Sequence, residues 1–250
     1  MPATPAWPPA SLPRLYVAER LAAGATVSLT GGAANYLANV LRLRSGDRVK
    51  LFDDVTGEWL ATLGEVAKKS VSLTVGEQLR ERERVPDLWL LFAPIKRGRI
   101  DWLAEKATEL GVDRLIPVFT ARTVVDRLNL DRLRAHTIEA AEQCERTALP
   151  ALDAPVKLKA ALDSLPEGRS LYFADEEGGV PMAEAARTGP AAVLIGPEGG
   201  FTDEERAMIR THPAARAISL GPRILRADTA ALGAISQWLA IAGDLSQGEI

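Results

Sequence analysis

The stretch Ala191 to Glu205, AAVLIGPEGGFTDEE, constrains this chain most. Ala191 to Ile195 is an unbroken apolar run and predicts a buried strand. It breaks at once into Gly196-Pro197-Glu198-Gly199-Gly200. Thr202 then opens a helix, with Glu205 three residues on. That is the spacing of a capping box: the Thr hydroxyl accepts from a free backbone N–H, and the Glu reaches back to the cap. A strand, a glycine turn and a capped helix together form the unit with which α/β proteins place ligands at the carboxyl ends of their strands. A plain tight connection between strand and helix meets the same pattern.

The turn also limits its ligand. It is neither GxGxxG nor GxxxxGK[ST]. No lysine follows the glycines to meet a phosphate, and one acid, Glu198, sits inside the turn. A polyphosphate would be repelled there; a cationic or neutral ligand would not.

Ahead of this stretch the chain changes character once. Arg14 to Val17 and Thr26 to Leu29 read as short strands, and Gly31 to Leu43 as a short helix on Ala34, Leu37, Ala38 and Leu41. Arg48 to Asp53, Glu58 to Leu63 and Ser70 to Val75 are further strands separated by turn residues. Short strands at regular spacing predict a small β-barrel. Leu79 to Arg84, LRERER, has no apolar face and reads as a linker. Beyond it, strands alternate with longer helical patterns, which predicts βα units and a mainly parallel sheet. Leu88 to Ala93 and Arg114 to Phe119 are strands, Pro117 marking an end or an irregular edge of the second. Arg99 to Leu110 and Leu130 to Arg146 are helices, with Gly111 at the position of a C-terminal helix glycine. Leu171 to Ala174 and Ala217 to Leu220 are later strands, and Asp228 or Thr229 caps a last helix, Ala230 to Ala242.

Composition excludes several classes. No apolar run approaches the ~18 residues that span a bilayer, so no membrane partner is expected. The first thirteen residues hold five prolines and no basic start, and read as a disordered tail, not a signal peptide. Cys144 is the one cysteine, so no disulfide framework forms within the chain, and a reducing, cytoplasmic location follows. With no histidine near it, Cys144 reads as a core residue. His136 and His212 stand far apart, and no metal site is expected. A net charge of −3 does not mark a nucleic-acid binder, yet Arg42, Arg44, Arg48 and Lys50 cluster, as do Lys96, Arg97 and Arg99. Either group reads equally as a solvated face.

Three successive strands end in related loops, DEEGG, GPEGG and GPRILRAD, which a parallel sheet brings to one edge. Their N–H groups suit a purine edge, and Leu220, Ile224 and Leu225 its face. Arg223 and Arg226 could stabilise an anionic substrate or pair with Glu198 or Asp228. Glu142 and Arg146, four apart, fit a surface helix pair as well as a site.

These loops, with NVLRLRSGDRVKLFD (Asn39 to Asp53), KRGRIDWLAEKATELGV (Lys96 to Val112) and EAAEQCER (Glu139 to Arg146), carry a resemblance to the RsmE family, the small-subunit ribosomal RNA uridine-N3 methyltransferases of the SPOUT superfamily. The match covers nearly everything after Pro13, and LIGPEGGFTDEE with SLGPRILRADTA is its most specific part. It implies a tail over 1–13, a PUA-like RNA-binding barrel over 14–84, and an α/β methyltransferase domain over 85–250. A trefoil knot is implied within about 170–245, together with a homodimer. It further implies S-adenosyl-L-methionine as cofactor, held by Leu194, Ile195, Gly196, Pro197, Glu198, Gly199 and Gly200 and by Leu220, Gly221, Arg223, Ile224, Leu225, Arg226, Thr229 and Ala230. A cationic sulfonium tolerates Glu198 in the turn. The implied partner is 16S rRNA of the small subunit, met by Arg14, Arg42, Arg44, Lys96, Arg97, Arg99 and Arg146. Catalysis falls to Arg226 and to Glu198 or Glu142 as base. Two positions depart from the family: Asn35 replaces an expected histidine, and Asp228 a common glutamate. The alternatives are ribose 2′-O-methylation by a knotted enzyme and a non-catalytic role in ribosome assembly.

Overall fold

The structure, a computed structural model, describes residues 12–96 and 98–246. The expected disordered tail therefore lies, up to residue 11, outside the described residues, as does Arg97. The chain divides between Glu83 and Arg84 into two compact units.

The first unit contains β1 (Arg14–Tyr16), β2 (Thr26–Thr30), α1 (Gly31–Asn35) with a π turn at Tyr36–Val40, β3 (Arg48–Asp53), β4 (Gly57–Val66) and β5 (Ser70–Arg80). These make one sheet in the order β1-β3-β4-β5-β2, with β1 parallel to β3 and the other pairs antiparallel. The alternation in sequence decides the face. Val49 and Leu51 of β3 and Val71, Leu73 and Val75 of β5 point into one core, where they meet Leu15, Leu29, Ala61 and Leu37. All five strands share that core, so the sheet curls around it.

β5 outruns its alternating part and enters the charge run read as a linker. The reason is electrostatic. Glu58 of β4 is buried, and Arg80, near the end of β5, reaches its carboxylate at 3.3 Å. A buried carboxylate needs such cations, and the strand continues far enough to supply one.

The second unit is an all-parallel α/β layer. Its elements are β6 (Leu88–Phe92), α2 (Arg99–Glu109), β7 (Arg114–Phe119), α3 (Leu130–Gln143), β8 (Ala151–Leu152), β9 (Val156–Lys157) and α4 (Leu158–Asp163), then β10 (Ser170–Ala174), β11 (Val180–Pro181), α5 (Met182–Ala185), β12 (Ala191–Ile195), α6 (Asp203–Thr211), β13 (Ala215–Ser219) and α7 (Ala227–Ala242). The strand order is β11-β13-β10-β12-β6-β7-β8, with β9 also pairing β7. Central strands are apolar throughout because both faces are covered. In β12, Ala191, Val193 and Ile195 join the core under α2, α5 and α7, while Ala192 and Leu194 join the opposite core under α4 and α6.

Three local expectations are corrected. Pro117 does not end its strand: it pairs with Phe92 inside β7, at an irregular stretch of the strand's other side. On its other side β8 covers only Arg114 and Leu115, and β9 only Val118 and Phe119. The missing N–H falls in the gap between those two short partners, where no ladder bond is lost. Cys144 is exposed, not core, because α3 ends at Gln143 and leaves it at the cap. The last helix begins earlier than expected, at Ala227 with Arg226 as its cap residue, and Asp228 lies buried in its first turn.

Candidate active site

The carboxyl ends of β6, β10, β12 and β13 open into one cleft of about 780 Å³, within the range of small-molecule sites. All three glycine-bearing loops line it: Asp175, Glu176 and Gly178 after β10, Gly196 to Glu198 and Gly200 after β12, and Leu220 to Ala227 after β13. Lys96 and Arg99 close the side after β6.

The GPEGG turn is fixed where it enters the helix. Thr202 Oγ1 accepts from the Glu205 N–H at 3.2 Å and Glu205 Oε2 accepts from the Thr202 N–H at 3.0 Å, as the capping box requires. The other carboxylate oxygen of Glu205 accepts from the Ala121 N–H at 2.7 Å. Arg122 donates to the Gly199 carbonyl at 2.7 Å and to that of Phe201 at 3.2 Å. The loop after β7 thus braces the turn, a role that no local motif announces. Gly200 has φ +67°, the left-handed region that glycine tolerates best.

The DEEGG loop is held from below by α6. Arg206, 6 % exposed, donates to Asp175 at 3.1 Å, to Glu177 at 2.6 Å and to Glu176 at 3.2 Å. Arg210 adds a 2.7 Å bond to Asp175. A buried guanidinium surrounded by carboxylates satisfies both charges and sets the loop's conformation. Arg206 was invisible as a site residue in the sequence, because i, i+3 and i, i+4 charge patterns on α6 read as solvent decoration, whereas Glu176 belongs to the DEEGG loop already singled out there.

Each residue singled out in the sequence can now be located. Ile195, Gly196, Pro197, Glu198, Gly200, Leu220, Gly221, Arg223, Ile224, Leu225, Arg226 and Ala230 all line the cleft. Leu194 does not: it points into the opposite core. Gly199 faces Arg122, and Thr229 turns its N–H to Asp228 at 2.8 Å, so neither lines the cleft. Ile224, expected to cover a purine face, is 95 % exposed, leaving that task to the half-buried Leu220 and Leu225. Glu198, Arg223 and Arg226 are exposed on the rim, with no ion pair or side-chain hydrogen bond among the described residues. The expected pairing of Asp228 with Arg223 or Arg226 is replaced by a 3.1 Å contact with Arg99, which ties α7 to α2.

The basic residues divide likewise. Lys96, Arg42 and Arg44 are exposed. Arg14 is corrected: its side chain is buried against Glu58 and stacks 3.7 Å over the Phe52 ring, so it serves the interior of the first unit. Arg146 is corrected too. It is 4 % exposed, and its guanidinium donates to the carbonyls of Thr108 and Val112 at 2.7 and 2.8 Å. It closes the C-terminal end of α2 and presents no cation at the surface. Glu142 is half-buried on α3, outside the cleft of its own chain.

The cleft suits an adenosyl sulfonium. It has acids instead of a phosphate-binding lysine after the glycines, backbone that a flat base can approach, and apolar Ile195, Leu220 and Leu225 beside polar groups. Among the described residues no cluster of side chains could hold a metal ion, and no helix is long and apolar enough to cross a membrane.

Comparison with known proteins agrees with this geometry. Residues 81–239 match the RNA methyltransferase domain family, and residues 29–76 match the RNA methyltransferase PUA domain. The fold and cleft define a two-part RNA methyltransferase. Among its relatives, Ribosomal RNA small subunit methyltransferase E of Rickettsia conorii is 31 % identical over 90 % of this chain and 93 % of its own. The Synechocystis protein of that name is 33 % identical over 90 % of this chain and 76 % of its own. The crystal structure of Ribosomal RNA small subunit methyltransferase E from Neisseria gonorrhoeae bound to S-adenosyl methionine superimposes with a TM-score of 0.84 at 28 % identity, covering 92 % of this chain and 98 % of that one. The chain belongs to the family of Ribosomal RNA small subunit methyltransferase E.

Proposed function

We propose that the protein methylates N3 of a uridine in 16S rRNA of the small ribosomal subunit, using S-adenosylmethionine. The observation that carries this reading is the convergence of three loops on one cleft at the carboxyl edge of a parallel sheet, in a chain of this family. The cofactor supplies an electrophilic methyl group when bound. The GPEGG turn and Leu220 to Ala230 hold and orient it; the first unit and Lys96, with Arg42 and Arg44 on the barrel, hold RNA phosphates. Uracil N3 carries a proton that must leave before it can attack. Glu198, on the rim, removes that proton, or Glu142 does so from a second copy of the chain. Arg226, also on the rim, stabilises the oxygens of the deprotonated uracil.

The protein works as a homodimer in the cytoplasm, and its last third is threaded as a trefoil knot. The strand order supports that threading: β13 enters between β10 and β11, both laid down earlier in the chain. The crossing is tight, since a Cβ on Gly179 would strike the backbone of Ala217 and Ile218.

Single-turnover methylation with saturating cofactor tests the site. Arg226→Ala is expected to slow transfer by roughly 10²- to 10³-fold. Glu198→Gln and Glu142→Gln separate the two candidate bases, with roughly 10²-fold or more lost at the correct one. Rates near wild type for both Arg226→Ala and Glu198→Gln would overturn the rim assignment. Mass spectrometry of the product nucleoside separates N3 from ribose methylation.

A further inference from the structure

We propose that the exposed face of the turn over Asn35 to Val40 is a platform for an unpaired RNA base, on which the Tyr36 ring stacks. The inference rests on the reading of the first unit as an RNA-holding part and assigns the contact within it. α1 and the π turn form one short helical segment, closed by the Leu41 N–H on the Tyr36 carbonyl at 2.9 Å. Its inner face is apolar and covered, with Ala34 and Leu37 both buried. Its outer face carries Asn35, Tyr36, Asn39 and Val40, all exposed. Tyr36 is 43 % exposed and Val40, four residues on, 61 %. Among the described residues the Tyr36 side chain has no ring contact, hydrogen bond or ion pair. A large ring left bare in this way beside a second apolar side chain is an unfilled contact surface. The widened π turn that presents it is rare in helices and occurs often at functional sites.

The polar residues of the same segment select the occupant. The Asn39 side-chain amide donates to the Asn35 side-chain oxygen at 2.8 Å. That bond ties the two side chains together and leaves the Asn35 NH2 group as a donor and the Asn39 oxygen as an acceptor. A donor and an acceptor on neighbouring amides match the edge of a base. Arg42 and Arg44 follow directly in the chain, exposed and with no side-chain ion pair among the described residues, and supply cations for the phosphates of the strand. A ring, a polar pair and two cations within one short segment suit a single strand, whose unstacked bases can reach an aromatic side chain; the bases of a duplex cannot. An apolar protein surface would cover Tyr36 and Val40 but leave both guanidinium groups and the amide pair unmatched.

Fluorescence titration of the full chain with a short oligoribonucleotide carrying 2-aminopurine, as a single strand and annealed to its complement, tests this in wild type, Tyr36→Ala and Tyr36→Phe. Wild type should quench the 2-aminopurine of the single strand on binding, as stacking on an aromatic ring does. Tyr36→Ala should weaken single-strand binding by about tenfold and lose part of the quenching. Its affinity for the duplex should stay that of wild type, which also shows that the variant is folded. Tyr36→Phe keeps the ring and should restore both affinity and quenching. An equal loss on single strand and duplex, or no loss on either, would overturn the proposal while leaving RNA binding by the protein intact. A change in the molar mass of Tyr36→Ala in solution, with RNA affinity unaltered, would overturn it in favour of a second copy of the chain on this face. Failure of wild type to bind either RNA would overturn the reading of the first unit as well.

Discussion

At the scale of the residue, two buried carboxylates in the first unit set its response to acid. Burial alone would raise the pKa of Asp53, but the N–H groups of Leu21, Thr56 and Val55 and the Thr56 hydroxyl donate to it and bring it below the ordinary aspartate value. Burial likewise opposes ionisation of Glu58, and the guanidinium groups of Arg14 and Arg80 overcome it. Both folded pKa values are depressed, so the stability they contribute is present above the unfolded values near ~4 and is lost as pH falls through the folded ones. Thermal melting at stepped pH should show the first unit losing stability below about pH 4. Asp53→Asn should cost roughly 2 kcal/mol at pH 7, the amount tied to a hydrogen-bonded charge, and the deficit should narrow in acid. Gly200 is the corresponding point in the second unit. Gly200→Ala meets both a left-handed φ and the Glu176 carboxylate, so it should weaken S-adenosylmethionine binding by at least about tenfold with little effect on the first unit.

At the scale of the element, the most informative piece is α6. Its N-terminus is capped by Thr202 and Glu205, and its buried Arg206 holds the DEEGG loop. Thr202→Ala should cost about 1 kcal/mol, read as a lower denaturant midpoint with an unchanged slope. Glu205→Ala should cost more, because it also frees the loop after β7. The capping box was legible in the sequence because it is local: two residues three apart. β3 was legible because Val49 and Leu51 alternate with polar neighbours, and α2 because its apolar stripe ends at Gly111. Other features depend on partners distant in sequence and left no such mark. Arg14 finds Glu58 and Arg146 finds Thr108 and Val112 only after folding, so each reads as a surface cation from the chain alone. β8 and β9 are two residues each and owe their strand character to β7. The three loops, Glu176 among them, were readable as a group; Arg122 and Arg206, which fix them, were not.

At the scale of the whole molecule, each unit closes its own core: one cluster in the first, and two, on either face of the parallel sheet, in the second. Separate cores predict separate melting. Differential scanning calorimetry should resolve two transitions, and saturating S-adenosylmethionine should raise only one. At a hundredfold excess over Kd the shift should correspond to about 2.7 kcal/mol. A shift of both transitions together would mean that the units unfold as one.

The position of β13 has a consequence for how the protein is made. Every residue lining the cleft beyond Arg99 lies after Tyr172 in the chain, and the loop from Leu220 to Ala230 closes it last. During synthesis the first unit and much of the parallel sheet can emerge while the pocket still lacks a wall. A nascent chain therefore has no complete cleft until nearly its whole length has left the ribosome, and one cut short at Ser219 would keep the described strands β1 to β13 yet lack α7 and the loop that leads into it.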